Sequence, residues 1–354
     1  MRYDWLIVGA GLFGCTCARE LTNKGYKCLI IDKRDHIGGN CYSFNKNGIE
    51  IHAYGPHCFN TNNIHLWQYV NKFTPFNHYI YRVKAVTERG MFSFPINLMT
   101  LYQLWGVKNP EEARQRLEKE KIPKKINNLE DFALANIGEE LYELFFKHYT
   151  IKQWDKDPKE LSASIIKRIP IRLNFDDSYH GTKFSGIPLL GYGHLFQEML
   201  KDIDVELNND YLLNRSYWNS LAKQTIYTGR IDALFDYEYG KLEYRSLRFE
   251  TKKIETEDYQ GVVCIKYCSS VPYTRIVEHK HFINDHTSYT YITTEYPCWS
   301  DEPFYPINND EFITQYKKKL NKYPQIFGGG RLFDYRYYNM DQTIAAALKL
   351  CSTI

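Results

Sequence analysis

The sequence predicts an α/β protein in which a nucleotide-binding domain is interrupted by a helical bundle and an antiparallel β-sheet subdomain. Three observations lead there. A short apolar strand, a glycine-rich turn, a helix and a second strand follow one another within the first thirty-two residues. Residues 108–178 are rich in Glu, Lys, Leu and Ile at helical spacing. Residues 241–300 are dense in Thr, Tyr, Val, Ile and Phe, with alternating stretches such as Ser288-Tyr289-Thr290-Tyr291-Ile292-Thr293. At 354 residues the chain exceeds the size at which a single core stops growing, so two or three subdomains are expected. No repeat or low-complexity linker separates them, which predicts interwoven segments. The nucleotide domain is expected from 1–76, 183–240 and 317–354, a helical bundle with a mobile loop from 97–178, and the sheet from 77–96 and 241–316.

Residues 4–8 (DWLIV) read as a strand running into Gly9-Ala10-Gly11-Leu12-Phe13-Gly14, a G-x-G-x-x-G turn. A helical pattern covers 15–24, Gly25-Tyr26-Lys27 turns the chain, and a second strand ends at Asp32. Gly9 permits the tight turn, Gly11 lets the backbone approach a pyrophosphate, and Gly14 lets helix and strand pack closely. The N–H groups of the helix start at Leu12 and Phe13, with the helix dipole, favour a diphosphate. Asp32 stands where a carboxylate accepts hydrogen bonds from an adenosine ribose. Strand, helix, second strand and terminal acid in this order make a Rossmann-like dinucleotide site, where ordinary turn glycines would occur alone. Next come Lys33-Arg34-Asp35-His36-Ile37-Gly38-Gly39-Asn40, a basic pair and a Gly-Gly turn. They resemble the E/D-x-x-x-x-x-G-G segment of glutathione-reductase-like and amine-oxidase-like flavoproteins, where the chain doubles back over the longer FAD. NAD-only domains lack it, so FAD is expected. Ile226-Tyr227-Thr228-Gly229 reads as a further strand of this domain, ending on the cofactor side at Thr228 and Gly229. Gly328-Gly329-Gly330 turns back toward the same side, and a last helix covers roughly 340–350.

Composition narrows the function class. A formal net charge of +3 is too small to suggest a polyanion, so no nucleic-acid partner is expected. Thirty tyrosines suit a pocket for planar rings, or reflect a bias toward Tyr, Asn, Lys and Ile. Nine cysteines show no zinc spacing, which predicts reduced, mostly buried thiols and no metal. With no apolar run of membrane-spanning length and no leader pattern, a cytoplasmic protein without a membrane partner is expected.

Further motifs follow in order: Ile51-His52-Ala53-Tyr54-Gly55-Pro56-His57-Cys58-Phe59-Asn60-Thr61, Tyr149-Thr150-Ile151-Lys152-Gln153-Trp154, and Lys167-Arg168-Ile169-Pro170-Ile171-Arg172. Then come Val271-Pro272-Tyr273-Thr274-Arg275 with Glu278-His279-Lys280, Thr294-Glu295-Tyr296-Pro297, Glu302-Pro303-Phe304-Tyr305-Pro306, Gly330-Arg331-Leu332, and residues 335–340. Along nearly its whole length the chain resembles the bacterial UDP-galactopyranose mutases. That resemblance implies interconversion of UDP-galactopyranose and UDP-galactofuranose for surface polysaccharide synthesis. Reduced FAD is the implied nucleophile: its N5 attacks the anomeric carbon and expels UDP, and the flavin–sugar adduct opens and recloses as the other ring.

The resemblance also assigns roles. Arg168 and Arg275 match the arginines that hold the diphosphate; Tyr179, Tyr305 and Tyr337 match tyrosines that hydrogen-bond it. Tyr149 matches a ring that stacks on uracil, and Trp154 one that lines the sugar pocket, with Thr150 and Glu295 beside these in the motifs. Arg331 and His57 match positions near the flavin. The implied cofactor set is Gly9, Gly11, Leu12, Phe13, Gly14, Asp32, Lys33, Gly39, Asn40, Tyr54, Gly55, His57, Thr228, Gly229, Arg331 and Met340. External NAD(P)H or a reductase would supply electrons, and a homodimer is left open. The chain departs from the pattern at Asn60 (for His), Asn339 (for Asp), Asp155 (for Gly) and Arg230 (for Pro). Asn339, near the substrate, replaces a charge and acceptor with an amide. These departures keep three alternatives open: a mutase for dTDP-fucose or UDP-N-acetylgalactosamine, an amine-oxidase-like flavin oxidoreductase, and an inactive nucleotide-sugar-binding protein.

Overall fold

In a computed structural model, residues 1–354 are described except 168, 284–285 and 308–310. The chain forms two compact units. The first comprises Met1–Tyr79, Thr182–Ser246 and Trp299–Ile354, the second Ile80–Gly181 and Leu247–Cys298.

The first unit is built on a five-stranded parallel sheet. Its order is Ile326–Gly328, Ala222–Tyr227, Tyr3–Val8, Cys28–Ile31 and Asp204–Glu206. Tyr3–Val8 is apolar on nearly every residue because both faces are covered, as central parallel strands require. On one face the helices Leu12–Asn23, Gly191–Met199 and Met340–Ser352 bury Phe13, Leu21, Leu195, Phe196, Ile344 and Ala347 against it. On the other, Trp218, Ile231, Leu234 and Tyr316 pack against Leu6, Val8 and Leu29. Tyr3–Val8 pairs with Cys28–Ile31 on one side and Ala222–Tyr227 on the other. Connections leave in both directions at its carboxyl end, the place where open α/β sheets bind ligands.

The second unit has the strand order Tyr244–Ile254, Thr290–Cys298, Arg275–Glu278, Cys264–Tyr267, Val83–Thr87 and Gly90–Phe94, its first strand beginning in the first unit. The expected antiparallel sheet contains one parallel pair, Cys264–Tyr267 with Val83–Thr87, because the helical segment intervenes between them in sequence. The helices are Leu98–Trp105, Pro110–Glu120, Leu129–Tyr142 and His148–Trp154. Asn128 caps the third, its side chain accepting from Asp131 N at 2.8 Å. Gly138 interrupts that helix at φ 78°; a Cβ there would meet Glu120 O at 2.3 Å, so this close helix contact requires glycine.

Two boundaries differ from expectation. Helices and sheet share one apolar core, in which Leu101, Leu129, Leu141 and Phe145 pack with Phe92 and Phe94. They therefore form one unit instead of two subdomains. Residues 299–316, expected with the sheet, lie in the first unit. There Phe304 N donates to Arg245 O at 3.1 Å and Ser246 Oγ to Ser300 O at 3.1 Å. Among the described residues no helix is long and apolar enough to cross a membrane.

One turn of the second unit is clasped by charge. Buried Glu278 accepts from the backbone N–H groups of Tyr259 and Gln260, both at 2.9 Å. His281 Nε2 lies 3.2 Å from Glu278 and 3.4 Å from Asp258. The hydrogen bond to Glu278 raises the His281 pKa above the ordinary 6.5, against the pull of burial. Protonated His281 is thus favoured by the folded chain. Its stabilisation is fully present below the ordinary value and is lost as pH rises through the raised one. Wild type should melt about 1–3 °C above His281→Gln near pH ~5.5, the gap closing by pH ~8.5. Thermal melts across that range check this, and a gap that ignores pH would refute it.

Candidate functional site

The glycine turn places three stretches of the first unit against one another. Gly9 has φ 106°, and a Cβ on it would lie 2.0 Å from Thr228 Oγ1. Thr228 Oγ1 itself donates to Val8 O at 2.8 Å, tying the neighbouring strand ends together. A Cβ on Gly14 would sit 1.9 Å from Gly9 O, so helix and strand meet without a side chain between them. The second glycine pair folds back: Gly38 N donates to Ala10 O at 2.7 Å, and Gly11 bridges Gly38 in parallel. Asp32 closes the arrangement, accepting from Ala10 N at 2.7 Å and Arg34 N at 2.9 Å. An ionised carboxylate has about four acceptor sites, so two such bonds leave capacity for a ligand hydroxyl.

These residues line a cavity of about 570 Å³ that reaches from Asp32 and Arg34 past the glycine turn to Arg331 and Met340. All the residues expected to hold the cofactor line it except Tyr54 and Gly55. Tyr54 instead supports the wall: its hydroxyl is 2.7 Å from His36 Nε2 and the Arg34 guanidinium lies 4.5 Å over its ring. Gly55 O lies 2.9 Å from His57 Nδ1. A carbonyl only accepts, so Nδ1 carries a proton. Lys33 is 2.5 Å from Glu302 Oε1, and Asn40 Oδ1 accepts from Arg34 at 3.0 Å. Arg331 donates to Tyr338 O at 2.8 Å and lies 4.7 Å over the Tyr337 ring. Tyr337 stacks on Tyr305 with centroids 5.9 Å apart. Cys41, also in the wall, has its pKa pushed up to about 12 by burial, so it is an inert thiol.

Asn339 is the N-cap of the helix Met340–Ser352, its backbone N–H donating to Gln342 Oε1 at 3.0 Å. Asn60 is buried and gives its amide to Cys58 O at 3.1 Å. Asp155 takes the left-handed conformation (φ 53°) that ends the helix His148–Trp154, the conformation glycine adopts most readily. Arg230 is held by buried Asp232, at 2.6 Å through Nη2 and 3.1 Å through Nε.

In the second unit Arg275 and Glu295 face each other across neighbouring strands, Nε to Oε2 at 2.5 Å. Glu295 is fully buried; burial raises its pKa while Arg275 opposes the shift. Glu295 therefore orients the guanidinium through one carboxylate oxygen. Tyr149, Trp154 and Tyr179 pack against the apolar core, and Thr150 is buried in the helix between them. Lys152 of the same motif donates to the carbonyls of Tyr267, Ser269 and Val271 at 2.8–3.0 Å, fastening the loop that leads to Arg275. Arg168 lies outside the described residues.

Several wall residues escaped the sequence reading, notably Asn209, Asp210 and Lys241. Glu302 stood in a quoted motif without a role, and its pairing with Lys33 and Arg34 supplies one. The others arrive from distant segments and carry no sequence signal.

Comparison with known proteins agrees with this geometry. Residues 144–337 match the family described as UDP-galactopyranose mutase, and residues 7–73 match an NAD(P)-binding Rossmann-like domain. A Klebsiella pneumoniae protein named "Probable UDP-galactopyranose mutase" is 42% identical, covering 97% of this chain and 92% of its own. An Escherichia coli dTDP-fucopyranose mutase is 40% identical, covering 97% and 96%. The crystal structure of a reduced UDP-galactopyranose mutase has the same fold, with a TM-score of 0.77 at 15% identity over 99% of this chain and 95% of that one. The two relatives bear different sugar names at nearly equal identity, which fixes the family and not the sugar. The chain belongs to the UDP-galactopyranose mutase family, an enzyme family of nucleotide-sugar mutases.

Proposed function

We propose that this enzyme is an FAD-dependent mutase interconverting UDP-galactopyranose and UDP-galactofuranose. The observation that carries the proposal is the cavity in which the glycine turn, Asp32 and Arg331 line one continuous space at the strand ends. FAD fits the groups present. The close approach of Gly11 to Gly39, where a Cβ on Gly39 would lie 2.9 Å from Gly11 Cα, leaves bare backbone for a diphosphate. Asp32 retains acceptor sites for a ribose. Bound in its reduced form, FAD would supply the nucleophile that exchanges with the nucleotide at the anomeric carbon.

The protein's own groups then have separate tasks. Arg331, fixed by Tyr338 O and the Tyr337 ring, places a permanent positive charge on the cavity wall, where it favours a reduced, anionic cofactor. Arg275, steered by Glu295, and Arg168 hold the departing diphosphate through directional, always-charged donors. Tyr149, Thr150, Trp154 and Tyr179 hold base and sugar, with Tyr305, Tyr337 and Asn339 completing the substrate contacts. His57, its Nδ1 held by Gly55 O, lines the cavity beside the cofactor. Electrons come from outside the chain, from NAD(P)H or a reductase. A second reading, a dTDP-fucopyranose mutase, is favoured by the 40%-identical Escherichia coli relative.

Dithionite-reduced enzyme given a nucleotide-sugar panel should convert UDP-galactofuranose to the pyranose. Turnover of dTDP-fucose alone would transfer the assignment to the second reading, and no turnover of any sugar would remove both. A second test concerns the cradle. Gly9→Ala adds a Cβ against Thr228, whereas Gly25→Ala adds one at φ 91° with nothing within 4 Å. Gly25→Ala should cost about 1 kcal/mol of stability and keep its flavin. Gly9→Ala should cost ~2–3 kcal/mol and lose flavin at least ~10-fold, read from flavin absorbance after desalting. Equal flavin retention by both variants would contradict the proposed cradle.

A further inference from the structure

Lys266 lies on the strand Cys264–Tyr267 of the second unit and has only 6% of its surface exposed. Its ammonium is 4.1 Å from the centroid of the Tyr149 ring, 4.4 Å from that of Phe94 and 6.0 Å from that of Tyr179. Among the described residues the ammonium has no hydrogen-bond acceptor and no carboxylate partner; the three rings are its company. Ring faces attract a cation but offset only part of the cost of taking it out of water.

The strand register sharpens the point. Lys266 stands directly opposite Arg275, and Arg275 directly opposite Glu295. Three adjacent strands thus carry cation, cation and carboxylate in one row. Directly opposed like charges disfavour a sheet. The carboxylate is committed to Arg275 Nε, so the row holds two cations against one acid. Such a row is completed by an anion, and the Tyr149 ring beside it suits a nucleotide.

We infer that Lys266 binds the diphosphate of the nucleotide substrate together with Arg275, as a third cation beside the two arginines already assigned. The inference rests on the mutase reading and deepens it. As a compact point charge on a flexible stem, Lys266 adds charge where Arg275 adds direction. It should therefore act on the phosphates and leave recognition of the nucleoside unaffected.

Lys266→Met tests this, because methionine fills the aromatic box without the charge. Titrations of the intact enzyme with UDP, dTDP, uridine and thymidine give the readout, with a thermal melt to verify folding. In the variant the diphosphates should bind at least ~10-fold more weakly and with a shallower salt dependence, the nucleosides as in wild type. The melting temperature should hold or rise, since a buried charge without a carboxylate has been removed. Lys266→Arg should recover part of the diphosphate affinity. A folded Lys266→Met enzyme that binds UDP and dTDP as tightly as wild type would overturn the inference and leave the mutase reading standing. Parallel loss of nucleosides and diphosphates with a falling melting temperature would also overturn it, by showing that the ammonium only props the aromatic box. Wild type binding neither diphosphate would overturn the mutase reading and this inference together.

Discussion

Two pieces of backbone, residues 9–14 and 38–39, run against each other with no side chain between them. Gly38 N reaches Ala10 O at 2.7 Å, Ala10 N reaches the Asp32 carboxylate at 2.7 Å, and Gly11 Cα would be 2.9 Å from any Cβ placed on Gly39. This contact sets where the ends of the central strands stand and how the chain returns over them. Thr228 Oγ1 bonded to Val8 O adds the next strand, and Arg331 enters the same wall from the segment after the last one. A substituent at Gly9, Gly14 or Gly39 would move a strand end, because the atoms it meets are backbone or the short Thr228 side chain and cannot swing aside.

That constraint also explains what could be read from sequence. The turn, its strands and Asp32 are legible because each residue type there answers a backbone requirement met within about thirty residues. Features that depend on register across distant segments are not. The parallel pairing of Val83–Thr87 with Cys264–Tyr267 needs the intervening helices to be placed first. Glu302 beside Lys33 and Arg34, and Lys266 opposite Arg275, likewise depend on which residue comes to stand across from which. The division into helical bundle and sheet followed composition, whereas the fold follows the core, and Phe92 and Phe94 give both elements the same one.

The charges of the second unit form a system of their own. Glu295 is buried and fixes Arg275 through Oε2, while its Oε1 has no hydrogen-bond partner among the described residues. A buried pair of this kind gives little net stability, because desolvation consumes most of the Coulomb attraction. It does give a defined direction to a planar donor set. Lys152, holding the carbonyls of Tyr267, Ser269 and Val271, fixes the approach to the same arginine from the other side in sequence. Two charged residues, Glu295 and Lys152, thus take part in positioning one guanidinium.

The positions that depart from the resembled pattern have local structural employment. Asn339 caps the last helix, a task Asn and Asp perform about equally, so exchanging them changes the charge near Met340 with little consequence for the fold. Asn60 spends its amide on Cys58 O two residues before it, and Arg230 is neutralised by Asp232. The fold is therefore insulated from these substitutions, and of the four positions Arg230 alone lines the cavity. The backbone contacts at Gly9, Gly14 and Gly39 that set the strand ends involve none of them.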